Sequence, residues 1–438
     1  IAATYGVELT VLDTTDPGQV AAAVSDRLHR TVVVVSSKSG GTLETDSHRR
    51  TFDQAFRDAG LDPAQRIVVV TDPGSPLQQT AEDAGYQVFL ADPNIGGRYS
   101  ALSAFGLVPT GLAGVPVDEL LDQAAEALDG LAADTANPGL DLGAALGGFG
   151  RVGHDKLVLA DAGSGIPGFG DWAEQLIAES TGKQGRGLLP VVVTDTGSPG
   201  YADRADTHPV SLGGTPAATG TAVAGPLGAQ FMVWEFATAV AGRALEIDPF
   251  DQPNVQESKD NTNAVLDKAG DGPLPAATPS LVDGAVEITA EPDLLAGATD
   301  LAGALEALLA AIPDRGYLAV MAYLDRLHDA ATAGIRDELA RRTDRQVTFG
   351  WGPRFLHSTG QFHKGGPQVG AFLQITGGHV RDLAIPGRPF SFGKLQLAQA
   401  LGDRQALGQR HRPLLHLHLT DRAAGIAQLR HAAGGDPV

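Results

Sequence analysis

The chain has no cysteine in its 438 residues. That excludes disulfides, thiolate nucleophiles and Cys-ligated zinc. Positive charge is scarce as well: 32 Lys and Arg stand against 52 Asp and Glu, for a formal net charge of −20. A field of that sign repels phosphate backbones, so no nucleic-acid partner is expected. It also repels a phosphorylated metabolite, so any anion site has to be local, built from backbone N–H groups and a few cations. Long apolar runs are missing. Thr31–Val35 and Leu157–Ala160 fall far short of the ~20 residues a membrane helix needs, so no membrane association is expected. No charged stretch leads an apolar one near Ile1, so no signal peptide is visible and a cytoplasmic location is expected. The start at Ile1, almost directly in a strand-like run, reads as a piece of something longer.

What is present suits buried cores: 43% of residues are hydrophobic and 19% charged. A chain of this length is expected to form two domains. From Val7–Leu12 to Gln87–Ala91, short β-branched runs (Thr31–Ser36, Arg66–Thr71) alternate with helical stretches (Val20–Leu28, Thr42–Ala59, Leu77–Ala84). Continuous apolar strands separated by helices predict a parallel sheet covered on both faces. After a helical stretch at Asp118–Ala133, a second alternation starts at Lys156–Asp161. It continues through a helix at Asp171–Ala178, a strand at Leu188–Thr194 and a helix at Ala229–Leu245. A Gly/Pro/Ala-rich stretch, Ala269–Pro279, reads as a long loop. Beyond it lie Leu318–Tyr323, Asp325–Arg342, Ala371–Thr376, Leu395–Ala400 and Leu414–Leu419. The expected fold is α/β, two doubly wound, mainly parallel domains over 1–135 and 136–438.

The chemistry concentrates in a few segments. Ser36-Ser37-Lys38-Ser39-Gly40-Gly41-Thr42-Leu43-Glu44-Thr45 follows a strand and enters a helix. A phosphate monoester needs short donors converging where a helix dipole is positive. The hydroxyls of Ser37, Ser39, Thr42 and Thr45 supply them, with Lys38 beside them and two glycines letting the backbone approach. A Ser/Thr-rich helix cap is the plainer reading. The Gly-Lys-Ser/Thr ending of a Walker loop is absent. Arg98 follows Gly96 and Gly97 on a loop and suits an oxyanion partner, although a lone arginine is usually a surface cation. Two acids, Glu174 and Glu179, compete for a general-base role on one helix. Both would ordinarily be solvated charges.

These segments resemble, in order, those of the phosphoglucose isomerase family. The loop 36–45 resembles the family's phosphosugar-binding loop, with Gly41 where Thr is common. Gly96-Gly97-Arg98-Tyr99-Ser100 resembles its Gly-Gly-Arg-Phe-Ser segment. Trp172-Ala173-Glu174-Gln175-Leu176-Ile177-Ala178-Glu179-Ser180-Thr181-Gly182-Lys183 closely resembles the signature around its catalytic glutamate. Asp251-Gln252-Pro253-Asn254-Val255-Gln256-Glu257-Ser258-Lys259 is similar to its Gln-Pro-Gly-Val-Glu-x-x-Lys segment, with Asn254 in place of glycine. His357-Ser358-Thr359-Gly360-Gln361 resembles the segment that supplies its ring-opening histidine.

The resemblance implies a sugar isomerase fold, with the first domain N-terminally incomplete, and an aldose–ketose isomerase acting on a hexose 6-phosphate without a cofactor or metal. The implied catalytic residues are Glu179 (base), His357 and Lys259 (ring opening) and Arg98 (enediolate). Ser37, Lys38, Ser39, Thr42 and Thr45 would hold the phosphate, and Gly97, Gln175 and Gln252 the sugar. In the family the histidine precedes the lysine in sequence and comes from the neighbouring subunit, which implies a homodimer. Here it follows Lys259. His208, in Asp206-Thr207-His208-Pro209, stands at the customary distance after Glu179 but without the motif. The arrangement is similar to the isomerase part of bifunctional transaldolase/phosphoglucose isomerases.

Other features read more plainly. Gly163–Gly168 fits Gly-x-Gly-x-x-Gly, but Pro167 delays the helix a dinucleotide loop should open, so it reads as the turn delivering Glu179. His416 and His418 alternate on a strand and lack a carboxylate-rich loop for a shared metal. His363-Lys364-Gly365-Gly366 reads as part of the turn after His357. A non-catalytic sugar-phosphate sensor is the competing class. An aldol enzyme with a Schiff-base lysine would need a (β/α)₈ barrel.

Overall fold

The computed structural model describes residues 1–435 except Asp203, Ala276 and Ala296. Its described residues form three sheets with helices interleaved between strands. The first holds β1 (Val33–Ser36), β2 (Ile67–Thr71) and β3 (Gln87–Leu90), all parallel and in that order. The second is parallel too: β4 (Lys156–Asp161), β5 (Leu189–Val193), β6 (Thr207–Leu212) and β7 (Thr221–Val223) lie in the order β5-β4-β6-β7. The third contains β8 (Leu281–Asp283), β9 (Val286–Ala290), β10 (Tyr317–Tyr323), β11 (Gln346–Trp351), β12 (Gly370–Gly377) and β13 (Leu414–Leu419). Their order is β11-β10-β12-β13-β9-β8, with only the β8–β9 and β9–β13 pairings antiparallel. The α/β architecture expected from the alternating runs is present. The stretch 136–438, expected as one unit, carries two sheets, because the extended run 281–290 and β10 to β13 close on each other.

The runs become strands because they are apolar on both faces. β2 and β10 are buried at every position, as strands covered by helices on two sides must be. Two expectations fail. Val7–Leu12 alternates like a strand but pairs with none. Leu12 packs toward the first core, and Arg326 holds the segment through the Val11 carbonyl and Asp13. Asp325–Arg342 is not one helix: the Asp325 carboxylate caps the N–H groups of Leu327 and His328, and the helix proper is only Ile335–Ala340.

Topology places the site. In the second sheet the chain leaves β4 for β5 on one side and returns to β6 on the other, and in the third it does the same around β10. Crevices outside the carboxyl ends of strands at such switch points are where α/β sheets bind ligands. The loop after β1, the loop and helix after β4, and the turn after β11 all leave carboxyl ends. β1 is an edge: N–H groups of Val33 and Ser37 bond to the β2 strand region, so those of Val34 and Ser36 face away.

Candidate functional site

The 36–45 loop is shaped by short turns. Ser37 Oγ accepts from Gly40 N–H at 3.1 Å, and Ser39 Oγ accepts from Gly41 N–H at 3.2 Å. Gly40 has φ +73°, and a Cβ there would lie 2.5 Å from Leu77 Cβ, so no other residue fits. The loop enters the helix Leu43–Asp58, where Thr42 makes no side-chain cap. The first N–H groups of a 16-residue helix are thereby left for an anion. Thr42 and Thr45 line a cavity of about 900 Å³ together with Ser36, Glu44, Gln175 and His357. Lys38 differs from expectation: its ammonium pairs with Asp72 at 2.9 Å and lies 5.6 Å from the Phe105 ring centroid. The nearby carboxylate takes the charge that a phosphate was expected to meet.

The helix Phe169–Thr181 carries both candidate acids and packs against the second sheet and the long helix Leu227–Leu245. It ends at Gly182, where a Cβ would sit 2.5 Å from Phe362 Cα. That close approach brings the histidine segment alongside. Glu179 is buried, with Oε1 3.5 Å from Arg98 Nη1 and Oε2 3.4 Å from Gln175 Nε2 one turn earlier. Burial pushes its carboxyl above the ordinary carboxylate range, although the Arg98 guanidinium pulls the other way.

Arg98 is fixed by its surroundings. Its Nε donates to Ser180 Oγ at 2.6 Å and its Nη1 to Gln252 Oε1 at 2.8 Å. Its Nη2 donates to the carbonyls of Pro249 (2.6 Å) and Asp251 (3.1 Å). Lys183, almost wholly buried, holds the same 248–251 segment through the carbonyls of Asp248 and Asp251. Gly97 opens the short turn that presents Arg98.

His357 ends the turn Arg354–His357 after β11. Its Nε2 lies 3.1 Å from Glu44 Oε1, on the first turn of the helix Leu43–Asp58. Burial lowers the imidazole pKa, but the Glu44 contact outweighs it and holds the ring above its ordinary value. The charges of Lys259 and Glu179 also reach it. Glu44 in turn would rise on burial, yet His357 brings it down to about 2. Gln399 Nε2 donates to the same Glu44 oxygen at 2.8 Å. Lys259 lies on the helix Val255–Ala269, whose start is tied to the histidine segment by the Asn254 N–H donating to Gln361 Oε1 at 2.9 Å.

Glu179 thus meets Arg98 and Gln175, Arg98 meets Gln252, and His357, reached by the charges of Glu179 and Lys259, lines one cavity with Gln175, Thr42 and Thr45. His357 and Glu44 meet within one chain.

Glu44 was missed by sequence reasoning, which valued that helix turn only for its hydroxyls. An acid two residues after Thr42 is the signal that was there. His208 lies elsewhere: on β6, stacked on Phe149 at 3.9 Å and bonded to Thr221 Oγ1, its pKa lowered to about 4 by burial. The Gly163–Gly168 loop folds around Asp161, whose Oδ1 accepts from Gly163 and Ser164 N–H groups, and leads into the glutamate helix. His416 and His418 both bond Thr376 Oγ1. Among the described residues no group of three His, Asp or Glu side chains is placed to hold a metal. His363 and Lys364 are not in an exposed turn. They are buried in the helix Thr359–Gly365, with Lys364 paired to Asp403 at 2.9 Å. No helix among the described residues is long and apolar enough to cross a membrane.

The sequence is similar over part of its length to a glucose-6-phosphate isomerase of Cyanothece sp. It is 37% identical over 190 residues, covering 41% of this chain and 35% of that protein. A probable glucose-6-phosphate isomerase of Haloarcula marismortui is 35% identical over 182 residues, covering 41% of this chain and 42% of that protein. The chain therefore spans well under half the length of these curated relatives. A solved glucose-6-phosphate isomerase from Chlamydia trachomatis superimposes with a TM-score of 0.48 at 22% identity, over 58% of this chain and 63% of that one. No family profile matches the chain.

Proposed function

We propose that the chain is the isomerase part of a cytoplasmic glucose-6-phosphate isomerase, interconverting glucose 6-phosphate and fructose 6-phosphate in glycolysis and gluconeogenesis. One observation carries the reading. Glu179, a buried carboxyl of raised basicity, faces the fixed guanidinium of Arg98, and the charge of His357 from a distant segment reaches it.

The phosphate is held by the hydroxyls of Ser37, Ser39, Thr42 and Thr45 and the open helix N-terminus. Holding it positions the sugar and makes proton transfer effectively intramolecular. His357, with Glu44 orienting and charging it, and Lys259 open the ring by moving a proton between the ring oxygen and the C1 hydroxyl. Glu179 then takes the C2 proton, and the electron pair moves to form the cis-enediolate. Arg98 stabilises its oxygens. Returning the proton to C1, while the hydroxyl proton passes from O2 to O1, gives the ketose, so atoms and electrons balance with no cofactor. Gly97, Gln175 and Gln252 line the sugar side. Lys38 contributes through its backbone, since its ammonium is engaged by Asp72. A homodimer belongs to the proposal as an assembly, not as the source of the histidine. So does a division at 135/136, with the second part subdivided by its two sheets, and fusion to a transaldolase.

The test is an aldose-to-ketose 6-phosphate assay on full-length protein. Glu179→Gln is expected to lose about 10²–10⁴-fold in kcat with little change in phosphate affinity. Retention of most activity would remove Glu179 as the base. Phosphate-dependent sugar binding without turnover by the wild type would instead favour a sensor.

A further inference from the structure

Glu174 has no part in the mechanism above, yet it is 6% exposed on the same helix as the base. Its Oε1 lies 3.2 Å from Ser358 Oγ, and Ser358 directly follows His357. Ser358 is itself 2% exposed and joins two unlike turns, the one ending at His357 and the helix Thr359–Gly365, with φ −142° and ψ −101°. Its hydroxyl is also 3.3 Å from the Phe355 carbonyl.

A serine hydroxyl has one proton and here faces two acceptors. When Glu174 is protonated it donates to Ser358 Oγ, which donates to the Phe355 carbonyl, and every group is satisfied. When Glu174 is ionised it accepts the hydrogen bond of the serine hydroxyl, and the Phe355 carbonyl keeps only the Ser358 N–H at 3.0 Å inside the turn that carries His357.

We propose that Glu174 is a positioning residue that, through Ser358, latches the turn bearing His357 onto the helix bearing Glu179, with the neutral carboxyl as the closed form. The inference rests on the isomerase reading above. It deepens that reading by assigning the spacing of base and histidine to a contact neither of them makes. Other contacts close the same seam: Gln361 Nε2 donates to the Gly182 carbonyl at 2.8 Å, and Gly182 packs against Phe362. The charged groups facing Glu174 are Arg354, in the histidine turn, which favours the ionised form, and Asp171 on its own helix, which disfavours it. Burial outweighs both and raises the carboxyl to about 7, so the latch changes state near neutrality.

The experiment compares kcat and KM across pH for full-length wild type, Glu174→Ala, Glu174→Gln, Ser358→Ala and the Glu174→Ala/Ser358→Ala pair. Glu174→Ala is expected to lose about 10–100-fold in kcat, the scale of a small misplacement, with KM within about twofold because the phosphate loop is untouched. Glu174→Gln, which keeps a donor, rescues kcat and removes the decline the wild type shows as Glu174 ionises. The double variant is no worse than either alanine variant, as members of one contact require. Wild-type kcat and pH profile in Glu174→Ala, or additive losses in the pair, overturn the latch. A wild type without turnover sinks the isomerase reading alone. The latch is then read from the His357 ring titration by NMR, which moves in Glu174→Ala if the contact positions the ring and stays put if it is idle.

Discussion

Arg98 separates charge from geometry, and replacing it by lysine or methionine tests both. An arginine has five N–H donors in a planar fork. Four of them are used by Ser180, Gln252, Pro249 and Asp251, and the remaining Nη1 hydrogen is on the side of Glu179. Hydrogen bonds to a charged group contribute about 1.5–3 kcal/mol each. Lysine cannot reproduce the fork, so losing two of the four costs about 3–6 kcal/mol of positioning. Arg98→Lys should therefore keep the positive charge but misplace it, lowering kcat about 10²–10³-fold, the loss typical of one oxyanion donor. The acid limb of the pH profile distinguishes the two variants. Glu179 works when ionised, and its folded pKa lies above the ordinary value, so kcat/KM rises with pH through that raised pKa. In Arg98→Lys the limb stays in place, because a cation is still present. In Arg98→Met it moves to higher pH, because burial then acts on Glu179 without its main opposing charge. Coupled assays of kcat and kcat/KM over pH 5–9 read both effects. An Arg98→Lys enzyme within threefold of wild-type kcat, or an unmoved limb in Arg98→Met, refutes the reasoning.

Glu44→Gln should lower the His357 pKa below its ordinary value, since burial remains and the acceptor that outweighs it is gone. NMR titration of the ring reads the shift, with a parallel fall in turnover on ring-closed substrate. His208→Phe should leave kcat and KM within about twofold while preserving stacking on Phe149; a large kcat loss would restore His208 as a candidate. Asp403→Asn should destabilise the protein by about 3–5 kcal/mol in denaturant unfolding, because it leaves the Lys364 charge buried without its partner. Specific activity should stay constant on dilution through any dimer dissociation, since Glu44 and His357 come from one chain; loss of activity in step with dissociation contradicts the single-chain site.

Much of the fold was legible because buried parallel strands have to be apolar on both faces. Ile67–Thr71 and Lys156–Asp161 could hardly be read otherwise. β6 was not, since Thr207-His208-Pro209 looks like a turn. Pro209 is tolerated there because its nitrogen points to the β7 side, and β7 pairs only with Val210–Leu212. Val7–Leu12 misled for the opposite reason: alternation specifies a strand only where an edge takes it. In the candidate site, the 36–45 loop, Arg98 and Glu179 stood out because each lies in a compact local pattern. The Glu44–His357 pair was not, because its members meet only through the arrangement of the first and third sheets. The pairing of Lys38 was not legible either, because nothing in its own segment announces Asp72, which directly follows β2.

The unpaired flank of β1 has a practical consequence. Its amides and carbonyls, with Val32 half exposed alongside, form the rim of the same hollow that His357 lines. Bare rims of this kind zip to one another. Two copies joined there would bury their hollows in the act of sticking, so in concentrated preparations of the isolated chain turbidity and loss of substrate entry should arrive together.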